Sequence, residues 1–222
     1  MKGVLLGIAP NIQIVDLAHG IAAGDVQGAA FALMTAAPFF PVGTIHVAVV
    51  DPGVGSDRKA IAIRSQHAIF LGPDNGLLSW AVKEETSLEI RSIENSELIL
   101  SRVSKTFHGR DLFAPAAARL ARRRTFSELG PELSQFERMD WPYPVRGNDG
   151  WKAEVVHIDI YGNAITAFPE GQADSVKWVI LPGGKRIPFE RFYAAVPRGN
   201  PVAVSGSSGF VEIAINQGDA AV

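Results

Sequence analysis

The sequence predicts an α/β region over the first 140 residues and an all-β region over residues 151–222. In the first region, apolar β-branched strands alternate with helical patterns, which is typical of an α/β domain. In the second, short apolar stretches are separated by Gly or Pro clusters, which indicates a small sandwich or barrel. Residues 141–150 (WPYPVRGNDG) contain two prolines and two glycines and show no periodicity, so a linker is expected there.

The N-terminal region is predicted to begin with a helix over residues 1–9 and a short strand over 12–17. Asp25 is expected to cap the next helix, from Val26 to Ala37, because its side chain can accept hydrogen bonds from the free amides. Pro38 and Pro41 follow that helix and should end it. Later in the region, strands are predicted over 45–50 and 68–71, and a further strand follows the glycine-rich turn and ends at Ile63. Helices are predicted over 77–84 and 112–123, while 88–93 and 98–103 fit either strands or loop edges.

The C-terminal region contains no helical pattern of useful length, and its apolar stretches are short. Alternation and β-branched content predict strands in the stretches between turn-forming clusters. These predicted strands cover residues 152–158, 164–168, 176–181, 202–205 and 210–215.

Composition excludes several functional classes. The net charge of −2 gives no global basic surface for nucleic acid, and the lack of cysteine excludes disulfides and thiolate chemistry. No apolar run reaches membrane-spanning length and no signal peptide is visible, so we expect a cytoplasmic protein. The five histidines show no metal-ligand spacing, and no metal site is predicted.

The most informative stretch is the turn DPGVG at residues 51–55, which follows an apolar strand. Its proline and glycines let the backbone turn sharply and place Asp51 just beyond the carboxyl end of that strand. Open α/β sheets bind their ligands at this end of the strands. Arg58 follows close enough to pair with Asp51. Taken alone, the pattern also fits a tight turn with a surface ion pair.

Two further positions carry polar chemistry in the first region. His108 stands at the start of a predicted helix, where the positive end of the helix dipole favours a neutral imidazole. Taken alone, a capping or packing histidine is the simpler interpretation. Asn75, in the turn GPDNG, fits both a structural turn and a ligand hydrogen bond.

Five segments occur in one order over most of the chain: DPGVGSDRKAIAI, GPDNGLL, TFHGRDLFAPAAA, IDIYGNAIT and SSGFVEIAINQGDAA. Together they closely resemble the S-adenosylmethionine (SAM) hydroxide adenosyltransferases, which hydrolyse SAM to adenosine and L-methionine and are related to fluorinase and chlorinase. The resemblance implies a Rossmann-like α/β domain with flanking helices and a small C-terminal β-barrel. It also implies a homotrimer that binds SAM between neighbouring subunits. SAM is then the substrate, and no cofactor is expected.

The resemblance also implies roles for individual residues. The catalytic set falls on Asp51, Arg58 and His108, which would hold and activate the attacking water. The expected substrate-binding residues are Asn75 and Phe107 in the cleft, Asp159 and Asn163 at the methionine ammonium and adenine edge, Phe192 or Tyr193 as an adenine-stacking ring, Ser207 and Ser208 at the methionine carboxylate, and Asn216 and Gln217 at the adenine.

The sequence departs from the family pattern in two places. A strand and turn of the type TDFG, with two carboxylates facing the ribose and the ammonium, would precede the point where this sequence begins. Ala167 stands where an asparagine usually follows the threonine of the GN turn. The missing strand favours one alternative, a catalytically impaired adenosine- or SAM-binding protein. A halide-using adenosyl transferase is the other alternative, and the carboxylate of Asp51 argues against it.

Overall fold

The computed structural model describes residues 1–148 and 150–221. The chain divides into two compact units, Met1–Met139 and Asp140–Val222. Among the described residues, no helix is both long enough and apolar enough to cross a membrane.

The N-terminal unit is mixed α/β. Its helices are α1 (Lys2–Ile8), α2 (Val26–Ala36) and α3 (Ala114–Ala121), and α3 continues from a π-helical segment, Gly109–Phe113. Its strands are β1 (Thr44–Val47), β2 (Ala60–Arg64), β3 (Ala68–Pro73) and β4 (Glu89–Ser92).

The four strands form one sheet in the order β1-β3-β2-β4. Strands β1 and β3 run parallel, with Thr44 opposite Ala68, whereas β2 is antiparallel to both β3 and β4. Because β1 and β3 are parallel neighbours, their carboxyl ends meet at one edge of the sheet. The turns that follow them, beginning at Asp51 and Asp74, therefore lie close together.

Apolar residues cover both faces of this sheet because successive side chains of a strand point to opposite faces. Ile61 and Ile63 of β2 pack on the side of α2, whereas Ala62 between them packs on the side of α3. The α3 side includes Phe113, which is fully buried at the end of the π-helical segment. This packing fixes the segment that carries His108 against the sheet.

Several predicted elements of the N-terminal unit are confirmed. Helices form at residues 2–8 and 26–36, and the Asp25 side chain accepts a 2.8 Å hydrogen bond from the Gly28 amide. The predicted strand over 12–17 is wrong, since that stretch is mostly exposed and has no strand partner. The predicted helix over 77–84 is reduced to turns and one 3₁₀ segment, Trp80–Val82. The later helix begins at Gly109, before the predicted start at residue 112.

The C-terminal unit is all-β apart from short 3₁₀ turns. Its strands are β5 (Val145–Gly147), β6 (Gly150–Lys152), β7 (Val155–Ile158), β8 (Ala164–Pro169), β9 (Trp178–Ile180), β10 (Arg186–Glu190), β11 (Pro201–Ser205) and β12 (Phe210–Ile215). Strands β7 to β12 form a curled half-barrel sheet in the order β7-β8-β12-β11-β10-β9. Its only parallel pair among the described strands is β10 with β11.

The sequence predicted most of these strands but missed two features. Strand β10 (RIPFE) was not predicted, because its charged ends and internal proline are typical of a loop. Part of the expected linker also forms strands, since β5 pairs with β6 in a small hairpin. Asp149, which belongs to that expected linker, lies outside the described residues.

Candidate active site

Asp51 and Arg58 form a buried ion pair at the edge of the N-terminal sheet. Arg58 Nε donates to Asp51 Oδ1 at 2.9 Å, and Arg58 Nη2 donates to Asp51 Oδ2. Only 5% of the Asp51 side chain and 10% of the Arg58 side chain are exposed. The pair is therefore the bidentate, shielded type of ion pair rather than a surface contact of small energy.

Arg58 also binds His108. The second hydrogen of Nη2 points to His108 Nδ1, 2.8 Å away, and Nη1 donates to the Lys59 carbonyl at 3.1 Å. Four of the five guanidinium hydrogens are thus engaged, and the guanidinium carbon lies 5.7 Å from the centre of the Phe113 ring. One arginine joins three segments of the chain.

This contact determines the protonation state of His108. A guanidinium can only donate, so Nδ1 must accept, and the ring proton must reside on Nε2. Burial and the neighbouring Arg58 charge lower the pKa of His108, although the charges of Asp51 and Asp111 oppose the effect. His108 is accordingly a neutral imidazole whose free ring nitrogen is a hydrogen-bond donor.

Two packing contacts hold His108 in place. The backbone at Gly55 lies directly against the Lys105 carbonyl, so that a Cβ at residue 55 would be 2.3 Å from that oxygen. Asp111 is fully buried, and its Oδ2 accepts a 2.8 Å hydrogen bond from the Ser104 amide. The neighbouring Arg110 lowers the pKa of Asp111 by hydrogen bonding to it. The loop before His108 is therefore fixed from both sides.

Asn75 is held by hydrogen bonds beside this group, whereas the Phe107 side chain is exposed. Asn75 Nδ2 donates to the Val50 carbonyl at 3.0 Å, and its Oδ1 accepts from the Leu77 amide at 3.2 Å. Asn75 therefore ties its own turn to the residue just before Asp51. Phe107 is exposed and lies next to the guanidinium of Arg110, 4.9 Å from its carbon.

In the C-terminal unit, Asp159 and Asn163 form one closed turn. Asp159 Oδ1 accepts from the amides of Tyr161 and Asn163, each at 2.9 Å, and Oδ2 accepts from Asn163 Nδ2 at 3.0 Å. The carboxylate thus shapes its own turn, in the manner of an Asx turn. Asn163 is buried, whereas Asp159 is half-buried.

The serine loop between β11 and β12 contains one unsatisfied polar atom. Ser208 Oγ is buried and has no hydrogen-bond partner among the described residues, whereas Ser207 is exposed. A buried hydroxyl without a protein partner is costly, so Ser208 Oγ can bond to a polar group that enters the loop.

Of the two candidate stacking rings, Phe192 is exposed and Tyr193 is anchored. The hydroxyl of Tyr193 donates to Glu212 Oε1. Burial, the hydrogen bond to Glu212 and the nearby Asp159 charge all raise the pKa of Tyr193, so its phenol is neutral.

The last pair of predicted residues follows β12. Asn216 is buried, and its Nδ2 donates to the Val196 carbonyl at 2.7 Å. Gln217 is exposed and adopts a left-handed backbone conformation with φ of 55°. The predicted residues thus fall into an N-terminal group around Arg58 and a C-terminal group spread over four segments. Among the described residues, no group of three or more His, Asp or Glu side chains could hold a metal ion.

Comparison with known proteins decides the family. The model of the SAM hydroxide adenosyltransferase N-terminal domain matches residues 1–130, and that of the C-terminal domain matches residues 153–222. The chain belongs to the SAM hydroxide adenosyltransferase family.

Named relatives of this SAM hydroxide adenosyltransferase family member include hydrolases and halogenases. The (R)-S-adenosyl-L-methionine hydrolase of Thermus thermophilus is 39% identical over 99% of this chain and 87% of its own length. The enzyme of the same name from Salinispora arenicola is 36% identical over 99% of this chain and 85% of its own. A fluorinase of Nocardia brasiliensis is 28% identical over 74% of this chain and 64% of its own.

Solved structures of similar proteins share the fold. An uncharacterised conserved protein from Thermotoga maritima has a TM-score of 0.90 and 34% identity, over 99% of this chain and 87% of that one. A conserved hypothetical protein from Thermus thermophilus has a TM-score of 0.81 and 38% identity, over 99% of this chain and 85% of that one. The chain therefore shares both sequence and fold with its family over nearly its whole length.

Proposed function

We propose that the protein hydrolyses SAM to adenosine and L-methionine, with Asp51, Arg58 and His108 as the group that holds and activates the attacking water. One observation carries this proposal beyond family membership. A single guanidinium binds both oxygens of a shielded carboxylate and the Nδ1 atom of a neutral histidine. The arrangement leaves one hydrogen-bond acceptor group, Asp51, and one donor, His108 Nε2–H, available to a water molecule.

The reaction is a displacement at the ribose C5' atom. The water oxygen forms a bond to C5' while the C5'–sulfur bond breaks, and the electron pair of that bond returns to sulfur. The leaving group is a neutral thioether, so it needs no protonation. The main requirement is to hold one water in line with the breaking bond and away from bulk solvent, which can supply much of the rate. The chemistry requires no redox cofactor.

The protonation state of His108 indicates which residue accepts the proton of the attacking water. Its Nδ1 accepts from Arg58 and its Nε2 already carries a hydrogen, so His108 cannot take a proton from the water. Each oxygen of Asp51 accepts one hydrogen bond from Arg58 and retains a second lone pair. Asp51 is therefore the acceptor. A carboxylate is a weak base for water, so the proton transfers late, when the forming C5'–O bond has made it acidic.

The substrate-binding assignments belong to the same proposal. Ser208 Oγ has no hydrogen-bond partner among the residues that the structure describes, which supports a role for the serine loop, with Ser207, in binding the methionine carboxylate. The Asp159 carboxylate has the charge required by the methionine ammonium. The remaining assignments rest on the family resemblance: Asn75, Phe107, Asn163, Phe192, Tyr193, Asn216 and Gln217 as further substrate contacts.

The larger arrangement is also proposed from the resemblance. We infer a cytoplasmic homotrimer whose sites are completed by neighbouring subunits, with a Rossmann-like N-terminal domain and a β-barrel C-terminal domain. Light scattering tests the trimer directly, and a monomer at working concentration would refute it. Mixing Asp51→Asn and Asn163→Ala proteins after subunit exchange should restore some activity if two subunits share each site.

The activity is tested by incubating the protein with SAM in water enriched in ¹⁸O and separating the nucleosides. We expect adenosine that carries ¹⁸O at its 5'-hydroxyl, because the water oxygen becomes that hydroxyl. A parallel reaction with added chloride or fluoride should yield no 5'-halo-adenosine. Unlabelled adenosine, a halogenated product, or binding of SAM without turnover would each overturn the proposal. A His108→Ala variant controls for contaminating activity.

A further inference from the structure

A buried carboxylate in the C-terminal unit was not identified from the sequence. Glu212 is the charged residue of the otherwise apolar strand β12, and it is only 4% exposed. A register shift in the pairing of β12 with β8 falls between Phe210 and Glu212. Such irregularities re-aim side chains and are common next to functional sites.

Two of the loops expected to bind substrate meet at this carboxylate. Its Oε1 accepts the hydrogen bond from the Tyr193 hydroxyl. On its other side lies the serine loop, so close that a Cβ at Gly206 would be 2.3 Å from Oε2. The Asp159 turn is near enough for its charge to act on Tyr193. Glu212 thus contacts two of the segments in the C-terminal group of predicted residues.

The environment of Glu212 is unusual for a buried carboxylate. None of the ion pairs found among the described residues includes Glu212. Burying a charge without a cationic partner is costly, so such groups are rarely retained for stability alone. The hydrogen bond from Tyr193 is a charge-assisted bond, which is stronger and more directional than a neutral one.

The ring of Tyr193 is held at one end and open at the other. Its hydroxyl is tied to the buried carboxylate, yet 43% of the residue is exposed. Phe192, the alternative stacking ring, is more exposed and has no polar atom that could fix its orientation. An aromatic side chain anchored through its polar end presents its ring face at a defined angle.

We propose that Glu212 is a positioning residue that fixes the Tyr193 ring as the platform on which the adenine of the substrate stacks. This inference rests on the proposed function and names one further residue of the same site. Glu212 does not touch the reacting atoms. It acts through the Tyr193 hydroxyl, and its second oxygen limits how closely the serine loop can approach.

The test measures adenosine binding by calorimetry, because adenosine carries the base without the methionine. Glu212→Gln keeps an oxygen that can accept from Tyr193, so its affinity should stay within about threefold of the parent. Glu212→Ala and Tyr193→Phe should each bind adenosine about tenfold more weakly, a partial loss of one base–aromatic stack. Glu154→Gln, at an exposed position of the same unit, is the matched control and should bind normally.

Two further measurements separate positioning from general damage. In the Tyr193→Phe background, Glu212→Ala should cause little additional loss, because the hydroxyl through which Glu212 acts is already absent. In Glu212→Ala the KM for SAM should rise by a larger factor than that by which kcat falls, whereas Glu154→Gln should change neither quantity. These effects differ from those of a merely structural role, which would lower turnover and affinity together.

The outcomes distinguish this inference from the proposed function. If the parent hydrolyses SAM but Tyr193→Phe binds adenosine normally, the positioning role is refuted, even if Glu212→Ala fails to fold. A Glu212→Gln variant as weak as Glu212→Ala, or additive losses in the double variant, would refute it as well. A parent that binds neither SAM nor adenosine would refute both.

Discussion

Replacing Asp51 with asparagine tests the pair on which the candidate active site depends. Asparagine has nearly the same shape, but it loses the charge and turns one acceptor into a donor that faces the Arg58 guanidinium. Because both side chains are at least nine-tenths buried, the guanidinium would be left without its counter-charge. Removing one partner of a buried pair costs about 3–5 kcal/mol of folding free energy.

The expected consequences are measurable in two independent assays. At about 3 kcal/mol, the thermal transition that reports on the N-terminal unit should fall by about 6–12 °C, at about 2–4 °C per kcal/mol. Adenosine release at a temperature where the variant is folded should fall by at least about 100-fold, because the water loses its proton acceptor. Asp57→Asn, at an exposed position of the same loop, should change neither quantity.

A double variant separates stability from chemistry. Asp51→Asn combined with Arg58→Gln removes the unpaired charge, so it should recover at least about 1.5 kcal/mol relative to Asp51→Asn alone. It should remain inactive, since neither the acceptor nor the bond to His108 is restored. The reasoning fails if Asp51→Asn retains turnover near that of the parent, or if the double variant is as unstable as the sum of the two single variants.

Two further predictions concern His108 and the loop before it. The lowered pKa of His108 favours its neutral form in the folded protein, so the stability it contributes is present above pH 6.5 and is lost as the pH falls below 6.5. Arg58→Gln should raise the pKa of His108 in an NMR titration of the ring, and an unchanged pKa would refute the assigned contact. Gly55→Ala should lower both turnover and stability, because its Cβ would clash with the Lys105 carbonyl and force apart the two turns that carry the site. Gly20→Ala is the control and should change neither quantity, because a Cβ there meets nothing within 4 Å.

Local sequence signals predicted the Asp51 turn well. The apolar strand, the glycines and the proline together place the carboxylate beyond a strand end, and Arg58 is only seven residues away. The contact with His108 spans 50 residues, and no spacing rule predicts it. Only the family resemblance brought His108 into the set, because a contact between distant turns depends on how β1 and α3 pack.

Other predictions failed because tertiary context overrides local propensity. Residues 12–17 have the β-branched content of a strand, but they lie outside the sheet and have no pairing partner. Glu212 was overlooked for the converse reason. A single acidic residue in an apolar strand predicts an outward-facing side chain, and only the fold reveals that this one points into the interior.

The contact between Gly206 and Glu212 has a consequence for the evolution of this family. The backbone at Gly206 does not require a left-handed conformation, but a Cβ there would lie 2.3 Å from the Glu212 carboxylate and 3.1 Å from the Phe210 carbonyl oxygen. A side chain at position 206 would therefore force the carboxylate at position 212 out of its present position, away from the Tyr193 hydroxyl. Relatives that carry a larger residue at the first position should carry a shorter one at the second, and the two positions should covary as a pair. Where both have changed, the adenine platform must be anchored by a different partner.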